Sequence, residues 1–514
     1  MAFTSWTFLA FTALSLLLYF LLPARFRWMA LLAVSYGFYF VGNGPATAWL
    51  LGVTALTYAS GRLLGRLNRQ RAALPAEQKA AGQARIRRKK RLVVLVQCLL
   101  CFGLLYILKY WNFTAELLGG LPRLDFLMPM AVSYFIFQAV GYVVDVYRGK
   151  TQAEQNPGKL ALFLSFFPQM VQGPIGRFRQ LEPQLTAGKP LDWEDMQTGM
   201  QTALWGYFKK LVIADRAAIA VNAVFGSSGS YGGAVIFSAV VLYSVQLYCD
   251  FSGGIDIARG VARMFGIRLA ENFRNPYFAT SLADYWRRWH ITLGAWMRDY
   301  VFYPLSLSKP FGRLGRWSRK HLKGTLGKIL PTSLATFLVY FIIGIWHGAN
   351  LRYVAFGLWN GVLITAALLL EDRFRRLRQG LGIREESRWY HGFRILRTFL
   401  LVLIGRYITR APRLLVALSM LKTTMTQFRF HELLDGTFWT LGLSRWDLGV
   451  TLAGMALVLG LEWRLERGGD PRKTLAKQKG AVQWLVLFGF LLALLLLGIM
   501  RGDYIASEFI YTQF

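Results

Sequence analysis

Histidine is the residue type through which this sequence most directly points to chemistry, because a neutral imidazole with a pKa of about 6.5 can accept a proton near neutral pH. His347 ends the apolar run 334–346, between Gly344 and Gly348. The two glycines leave space beside the ring for a ligand or another backbone. An ionisable group so deep in an apolar run is costly, so we expect it to be functional. The alternative is a neutral histidine that links two helices by hydrogen bonds.

His290 lies in a second unusual segment, DYWRRWHITLGAWMRD at 284–299. Helical spacing would put five of its residues on one face: Trp286, Trp289, His290, Leu293 and Met297. We predict an interfacial amphipathic helix with a tryptophan face, in which a packed His290 beside anchoring aromatic residues is the alternative to a functional one. The stretch YCDFSGGID at 248–256 places the carboxylates of Asp250 and Asp256 nearby in sequence.

The other three histidines lie among charged or mixed polar residues, and we predict that they are solvated: His321, His391 and His431. The sequence contains no HExxH, no phosphate-binding P-loop, no zinc-finger spacing and no G-x-S-x-G nucleophile motif. We therefore predict no metal site and no bound cofactor. A nucleophile would come from the substrate or from a Ser, Tyr or Cys elsewhere in the chain.

The elements that must position these histidines are membrane helices. Of 514 residues, 54% are hydrophobic and 17% are charged, and the apolar residues form runs long enough to cross a bilayer. Continuous runs exclude a porin-like β-barrel, and the composition excludes a disordered or collagen-like chain. The net charge of +33 collects in loops between the runs. It indicates loops that face anionic lipid rather than binding to nucleic acid.

The basic loops also set the sidedness. Eleven Lys or Arg and one Glu lie between residues 62 and 91, which predicts a cytoplasmic loop and an extracytoplasmic N-terminus. Following the runs gives about eleven transmembrane helices and an extracytoplasmic C-terminus, with residues 160–176 as a re-entrant piece broken by prolines. We predict one polytopic domain over 1–514: N-terminal spans at 1–252, cytoplasmic or interfacial helices at 253–328, and C-terminal spans with a tail at 329–514.

Several motifs, in order along the chain, resemble the membrane-bound O-acyltransferase (MBOAT) family. They are the opening FTSWTFLAFTALSLLLYFLLPARFRW, FFPQMVQGPIGRF, CDFSG followed by ENFRNPYFATS, DYWRRWHITLGAWMRDYVFYPL, IWHGAN and the terminal FIYTQF. The likeness covers nearly the whole chain and is greatest to the bacterial branch of alginate O-acetylation and teichoic-acid D-alanylation. It implies an all-α integral membrane fold, a ring of helices with a central tunnel.

The resemblance also implies roles for individual residues. His347 would be the catalytic histidine, His290 the second signature histidine, and Tyr511, in the terminal motif, a covalent acyl relay or part of a docking tail. We further expect Trp286, Asp250 and Asn350 to line the site. The donor would be acetyl-CoA or the phosphopantetheine thioester of a cytosolic acyl carrier, approaching from the side opposite to the acceptor.

The resulting functional prediction is an O-acyltransferase of the bacterial inner membrane that moves an acyl group, acetyl by preference, to hydroxyls of an extracytoplasmic polysaccharide. The transfer would be direct, or it would pass through a tyrosine relay and an extracytoplasmic acyltransferase or esterase-like partner. One alternative is D-alanyl transfer to teichoic acid from a carrier-protein thioester. A second, from another functional class, is a glycolipid transporter or flippase, for which many spans and a re-entrant segment would also serve.

Overall fold

The computed structural model describes residues 2–75, 79–126, 129–322 and 324–499. Within these ranges the extended regular elements are helices, and the β-structure is limited to an isolated bridge between Phe273 and Trp289. The all-α fold predicted from the apolar runs is confirmed.

The Cα positions divide the described chain into two units, of which the first comprises residues 2–204 and 254–270. Its helices begin with α1 (Trp6–Leu21), α2 (Ala24–Asn43), α3 (Thr47–Ala72), α4 (Lys79–Lys109) and α5 (Trp111–Leu118). They continue with α6 (Val132–Arg148), α7 (Pro157–Ser165), α8 (Phe167–Gln172), α9 (Phe178–Thr186) and most of α10 (Trp193–Tyr207).

The second unit comprises residues 205–253 and 271–499 and contains both candidate histidines. Its first helices are a π-helix (Phe208–Ala214), α11 (Asp215–Gly226), α12 (Gly233–Met264, which extends into the first unit), α13 (Leu282–Arg288), α14 (Ile291–Met297), a second π-helix (Arg298–Phe302), α15 (Tyr303–Ser306) and α16 (Lys309–His321). They are followed by α17 (Thr325–His347), α18 (Leu351–Leu369), α19 (Glu371–Gly380), α20 (Arg388–Arg410), α21 (Leu414–Thr426), α22 (Arg445–Glu466), α23 (Pro471–Ala476) and α24 (Gly480–Leu497).

Six of the described helices are long and apolar enough to cross a membrane, judged by length and composition. They are α12, α17, α18, α22, α24 and the part of α4 from Ala80 to Lys109. α1 and α21 are apolar but shorter. The total of about eleven spans therefore stays a prediction.

Two segments differ from a simple alternation of apolar helices and loops. The run 160–176 is broken as its prolines indicate, because α7 ends at Ser165 and α8 starts at Phe167 with Pro168 in its first turn. The basic stretch 62–91, expected as a loop, is largely helical in the described residues, since α3 and α4 both continue into it. Arg and Lys are good helix formers, so a helix can continue beyond the point where the apolar residues stop.

The pair α17 and α18 forms the hairpin that carries His347. At their contact the backbones meet at two glycines, and a Cβ added to Gly344 would lie 2.7 Å from the Cα of Gly357. Small residues at such a contact allow close helix packing in membranes. α17 ends at His347, and α18 starts after a turn in which the side chain of Asn350 caps the new helix.

Candidate functional site

His290 lies at a break between two short helices, which corrects the expectation of one continuous amphipathic helix over 284–299. α13 ends at Arg288, and His290 adopts the left-handed conformation with φ of 49° and ψ of 52° before α14 begins. A non-glycine residue in this region costs about 1–3 kcal/mol and is found where the surrounding structure imposes it. Trp289 and His290 are 3% and 1% exposed, so they are core residues and do not form an anchoring face.

The strand-like segment 272–274 holds the break in place. The backbone N–H of Arg274 donates to the carbonyl of Arg288 at 2.9 Å, and the N–H of Ile291 donates to the carbonyl of Asn272 at 3.0 Å. These bonds lie on either side of His290. The left-handed backbone of His290 is therefore fixed by contacts from residues that lie about eighteen positions earlier in the chain.

The side chain of Asn272 fixes the proton position on His290. Its Oδ1 accepts from the backbone N–H of Thr292 at 3.0 Å and from the Thr292 hydroxyl at 2.8 Å. A backbone N–H can only donate, so the atom facing it must be the amide oxygen. The same oxygen lies 3.2 Å from Nδ1 of His290, and therefore Nδ1 carries the proton. Nε2 is left with the lone pair that a general base or hydrogen-bond acceptor requires.

His290 is held in its neutral form. Burial lowers the pKa of His290 to about 3, and the nearby charge of His347 acts in the same direction. The ring of Phe251, on α12, contacts the imidazole edge-on at a centroid distance of 5.0 Å. His290 thus offers Nε2 as a neutral acceptor throughout the physiological pH range.

His347 has the same tautomer for a different reason. Its Nδ1 lies 2.6 Å from the carbonyl oxygen of Ile343, one turn earlier in α17, and a carbonyl can only accept. The ring of Trp346 contacts both imidazoles, at centroid distances of 6.2 Å from His290 and 5.1 Å from His347. His347 is 8% exposed. The structure thus places both histidines around one tryptophan, each with Nε2 as the basic nitrogen.

A cavity of about 370 Å³ reaches this pair from the side of His290. Its lining is mostly apolar and includes Leu293, Met297 and Val339, with Trp286 and His290 among the polar contributors. Arg287 and Arg298 also border it. His347 does not line this cavity, but Ile343, which accepts its hydrogen bond, does. An apolar chamber with two guanidinium groups could hold an acyl thioester with a phosphate at its outer end.

The other predicted site residues take different positions. Trp286 lines the cavity and donates from Nε1 to Asn360 Oδ1 at 2.9 Å. Asp250 does not line it; its carboxylate lies 2.6 Å from the buried ammonium of Lys210. Asn350 accepts from the backbone N–H of Arg352 at 3.0 Å as the cap of α18. Tyr511 lies outside the described residues.

Sequence reasoning did not single out three residues that support the site. Asn272 and Asn360 are 0% and 4% exposed and orient His290 and Trp286. Arg406 is buried in α20, donates to the Tyr285 hydroxyl at 2.6 Å and lies 4.9 Å from the ring centre of Trp289. Asn272 falls in the quoted ENFRNPYF motif, but nothing in its local pattern indicated a contact with His290. In the described residues no group of three or more His, Cys, Asp or Glu comes together as a metal site.

Comparisons with known proteins give a family match and several similar proteins. A family model described as MBOAT, membrane-bound O-acyltransferase family, matches residues 156–318, which include His290. A protein named probable alginate O-acetylase AlgI, from Pseudomonas syringae pv. tomato, is 32% identical over 427 residues, 81% of this chain and 74% of the relative.

Two relatives with other names are more distant. The peptidoglycan O-acetyltransferase of Helicobacter pylori is 30% identical over 54% of this chain and 55% of its own length. The teichoic acid D-alanyltransferase of Bacillus subtilis is 27% identical over 59% of this chain and 74% of its own length.

Proposed function

This chain belongs to the membrane-bound O-acyltransferase family, and from that premise we propose that it transfers acetyl groups from a cytosolic thioester to hydroxyls of an extracytoplasmic polysaccharide. Membership makes the chain an O-acyltransferase and a multi-pass membrane protein, as its sequence motifs predicted. The acyl group, the donor, the acceptor and the direction of transfer are the proposal.

The names of the relatives support acetyl and a polymeric acceptor. Two of the similar proteins are named O-acetylase or O-acetyltransferase, and one of these aligns with 81% of this chain. The D-alanyl alternative draws support from the teichoic acid D-alanyltransferase, which is less identical and aligns with 59% of the chain. The acetyl reading is therefore favoured, and D-alanyl transfer is the second candidate.

The single observation that carries the mechanism is that both imidazoles hold their proton on Nδ1 and leave Nε2 basic. In acyl transfer a hydroxyl oxygen attacks the thioester carbonyl, the new C–O ester bond forms and the C–S bond breaks. Nε2 of His347 would take the hydroxyl proton and return it to the departing thiolate. His290, neutral and hydrogen-bonded to Asn272, would accept a hydrogen bond through Nε2 and so position a substrate group beside His347.

The cavity beside His290 suits the donor in this scheme. Its apolar wall would accept the acyl chain and pantetheine arm, while Arg287 and Arg298 would contact the phosphate of acetyl-CoA or of a carrier-bound phosphopantetheine. The acceptor would approach His347 from the side of the turn 348–350, whose residues are partly exposed. Donor and acceptor would thus meet at Trp346 from different sides.

The remaining parts of the proposal rest on the resemblance. The protein would lie in the bacterial inner membrane with both termini extracytoplasmic, where Tyr511 could carry the acyl group as a covalent relay. In this alternative to direct transfer at His347, an extracytoplasmic acyltransferase or esterase-like partner would receive the acyl group and modify the polysaccharide. A cytosolic acyl carrier would supply the donor if acetyl-CoA does not.

Mass spectrometry of surface glycans from cells that express the chain tests this proposal. We expect ester-linked acetyl groups with the native protein and with His391→Gln, a control at an exposed histidine, and their loss with His347→Gln. The mass of the ester distinguishes acetyl from D-alanyl. If His347→Gln is made and folded as well as the native chain and the esters persist, the proposed base is wrong. If glycolipid movement depends on the chain while its surface esters do not, the transporter alternative is favoured.

A further inference from the structure

Two arginines near His347 have no acidic partner among the residues that the structure describes. Arg352 lies in the first turn of α18 and Arg410 is the last residue of α20. Within the described part of the chain, neither guanidinium has a carboxylate oxygen within 4.0 Å, whereas buried or half-buried cations such as Lys210, Arg216 and Arg263 do. Both side chains are only partly exposed. A cation that is withdrawn from water without a carboxylate is a candidate for binding an external anion.

Arg352 is held in a fixed position by neutral groups. It donates from Nη2 to the hydroxyl of Tyr353 at 3.0 Å and from Nη1 to the carbonyl of Ala411, the residue that follows Arg410. The guanidinium lies 4.7 Å from the ring centre of Tyr353. Its Nε is buried and has no acceptor among the described residues. The positive charge of Arg352 is therefore held in a fixed position by neutral groups. Its Nε–H donor has no acceptor among the described residues.

Arg410 is placed in a similar way beside it. Its Nη2 donates to Asn222 Oδ1 at 2.6 Å, and its guanidinium lies 5.3 Å and 5.9 Å from the ring centres of Phe225 and Tyr243. Asn222 is the one hydrogen-bond acceptor that the described residues supply to it. The charges of Arg352 and Arg410 are close enough to act on each other. Two like charges that repel each other would both gain from one shared anion.

The pair is separated from His347 by one aromatic ring. The ring of Tyr353 lies nearly parallel to the imidazole of His347, at a centroid distance of 6.3 Å and an interplanar angle of 25°. It also fills the space that a side chain at Gly348 would occupy, with Cε2 2.6 Å from the Cβ that would be added there. A group bound by the two arginines would thus lie across the Tyr353 ring from the proposed base.

We infer that Arg352 and Arg410, with the tyrosine rings beside them, bind an oxyanion carried by the acceptor and so select an acidic polymer. This inference rests on the proposed function and adds the acceptor's charge to it. The oxyanion would be the carboxylate of a uronic acid unit or a phosphodiester, because a guanidinium pairs with either through two parallel N–H donors. An acceptor held there by one unit would present a hydroxyl of the same or the next unit to His347.

Binding of an oligosaccharide to the His347→Gln protein tests the site without requiring turnover. The probes are a uronic-acid oligosaccharide, its carboxyl-reduced neutral counterpart and poly(glycerol phosphate). We expect the charged probe to bind, Arg352→Gln and Arg410→Gln each to weaken it about tenfold, and added salt to weaken it further. Arg413→Gln is the control, since Arg413 is exposed on the same edge and makes no ion pair with a described carboxylate.

Each outcome decides a separate point. Failure of both charged probes to bind more tightly than the neutral oligosaccharide, or equal losses from Arg413→Gln and Arg410→Gln, would overturn the inference. Arginine-dependent binding of poly(glycerol phosphate) alone would identify the oxyanion as a phosphodiester. Arg410→Gln leaves the bond from Arg352 to Ala411 intact, so it remains informative if Arg352→Gln unfolds. Arginine-dependent binding with no acyl transfer by the native enzyme would retain the site and reject the proposed function.

Discussion

Replacing Asn272 by leucine tests whether its carboxamide sets the proton position on His290. Leucine keeps the approximate size of the side chain but removes Oδ1, which accepts from the ring Nδ1–H and from both donors of Thr292. Asn272→Asp is the matched variant, because a carboxylate oxygen can accept the same three bonds. A carboxylate at this distance raises a histidine pKa by about 1–3 units, so a pKa of about 3 would still leave His290 neutral at pH 7.5.

The expected loss follows from the buried donors. Without Oδ1, the ring Nδ1–H has no partner, at a cost of about 1–3 kcal/mol. The ring can avoid this cost by moving its proton to Nε2, but Nε2 then has no lone pair. The productive tautomer is therefore disfavoured by about 1–3 kcal/mol, and about 1.4 kcal/mol corresponds to a factor of ten in rate. We expect Asn272→Leu to lower kcat about five- to hundredfold and Asn272→Asp to lower it by less.

The assay is transfer of radiolabelled acetyl from a thioester to an oligosaccharide acceptor in proteoliposomes. Thermal unfolding of each purified variant separates loss of the site from loss of the fold, because leucine also leaves the backbone N–H of Thr292 without its acceptor. Equal kcat values for folded Asn272→Leu and Asn272→Asp would refute the assigned tautomer. A normal kcat for Asn272→Leu would also remove Asn272 from the mechanism.

Two further predictions concern pH and the C-terminal motif. Because the folded-state pKa of His290 is about 3 and its unfolded value about 6.5, the unfolded chain takes up a proton that the folded chain refuses as pH falls below 6.5. Stability should therefore fall by roughly 1 kcal/mol per pH unit between pH 6 and 4, and His290→Gln should reduce that slope in acid unfolding monitored by tryptophan fluorescence. Tyr511→Phe should abolish transfer to the polymer if Tyr511 is a covalent relay, while donor hydrolysis continues; unchanged polymer acylation would remove Tyr511 from the mechanism.

Much of the helical fold could be predicted because membrane helices are continuous apolar runs. The apolar runs 329–347 and 447–463 lie within the helices Thr325–His347 and Arg445–Glu466, whose ends differ from those of the runs by at most four residues. Where the sequence became basic, at 62–91, the helices continued beyond the apolar residues, because helix propensity does not follow hydropathy.

The sequence pointed to the two histidines that the structure brings together around Trp346, but not to the residues that support them. A helical pattern over 284–299 could not reveal that His290 adopts a left-handed backbone, because hydrogen bonds from segment 272–274 impose it. Asn272 and Arg406 act across distances in sequence of 18 and 121 residues, to His290 and Tyr285 respectively. Contacts of that kind leave no local periodicity, so no pattern in the sequence could indicate them.

The most direct test of the central claim uses sealed proteoliposomes with the acetyl thioester inside and the acceptor oligosaccharide outside, in chains oriented with their cytoplasmic side inward. The native protein should place labelled acetyl on the outer oligosaccharide, and His347→Gln should do so at least a hundredfold more slowly, since a general base contributes about 10²–10⁴ in rate. His391→Gln should match the native rate. Transfer by folded His347→Gln at the native rate would show that this imidazole is not the base on which the mechanism depends.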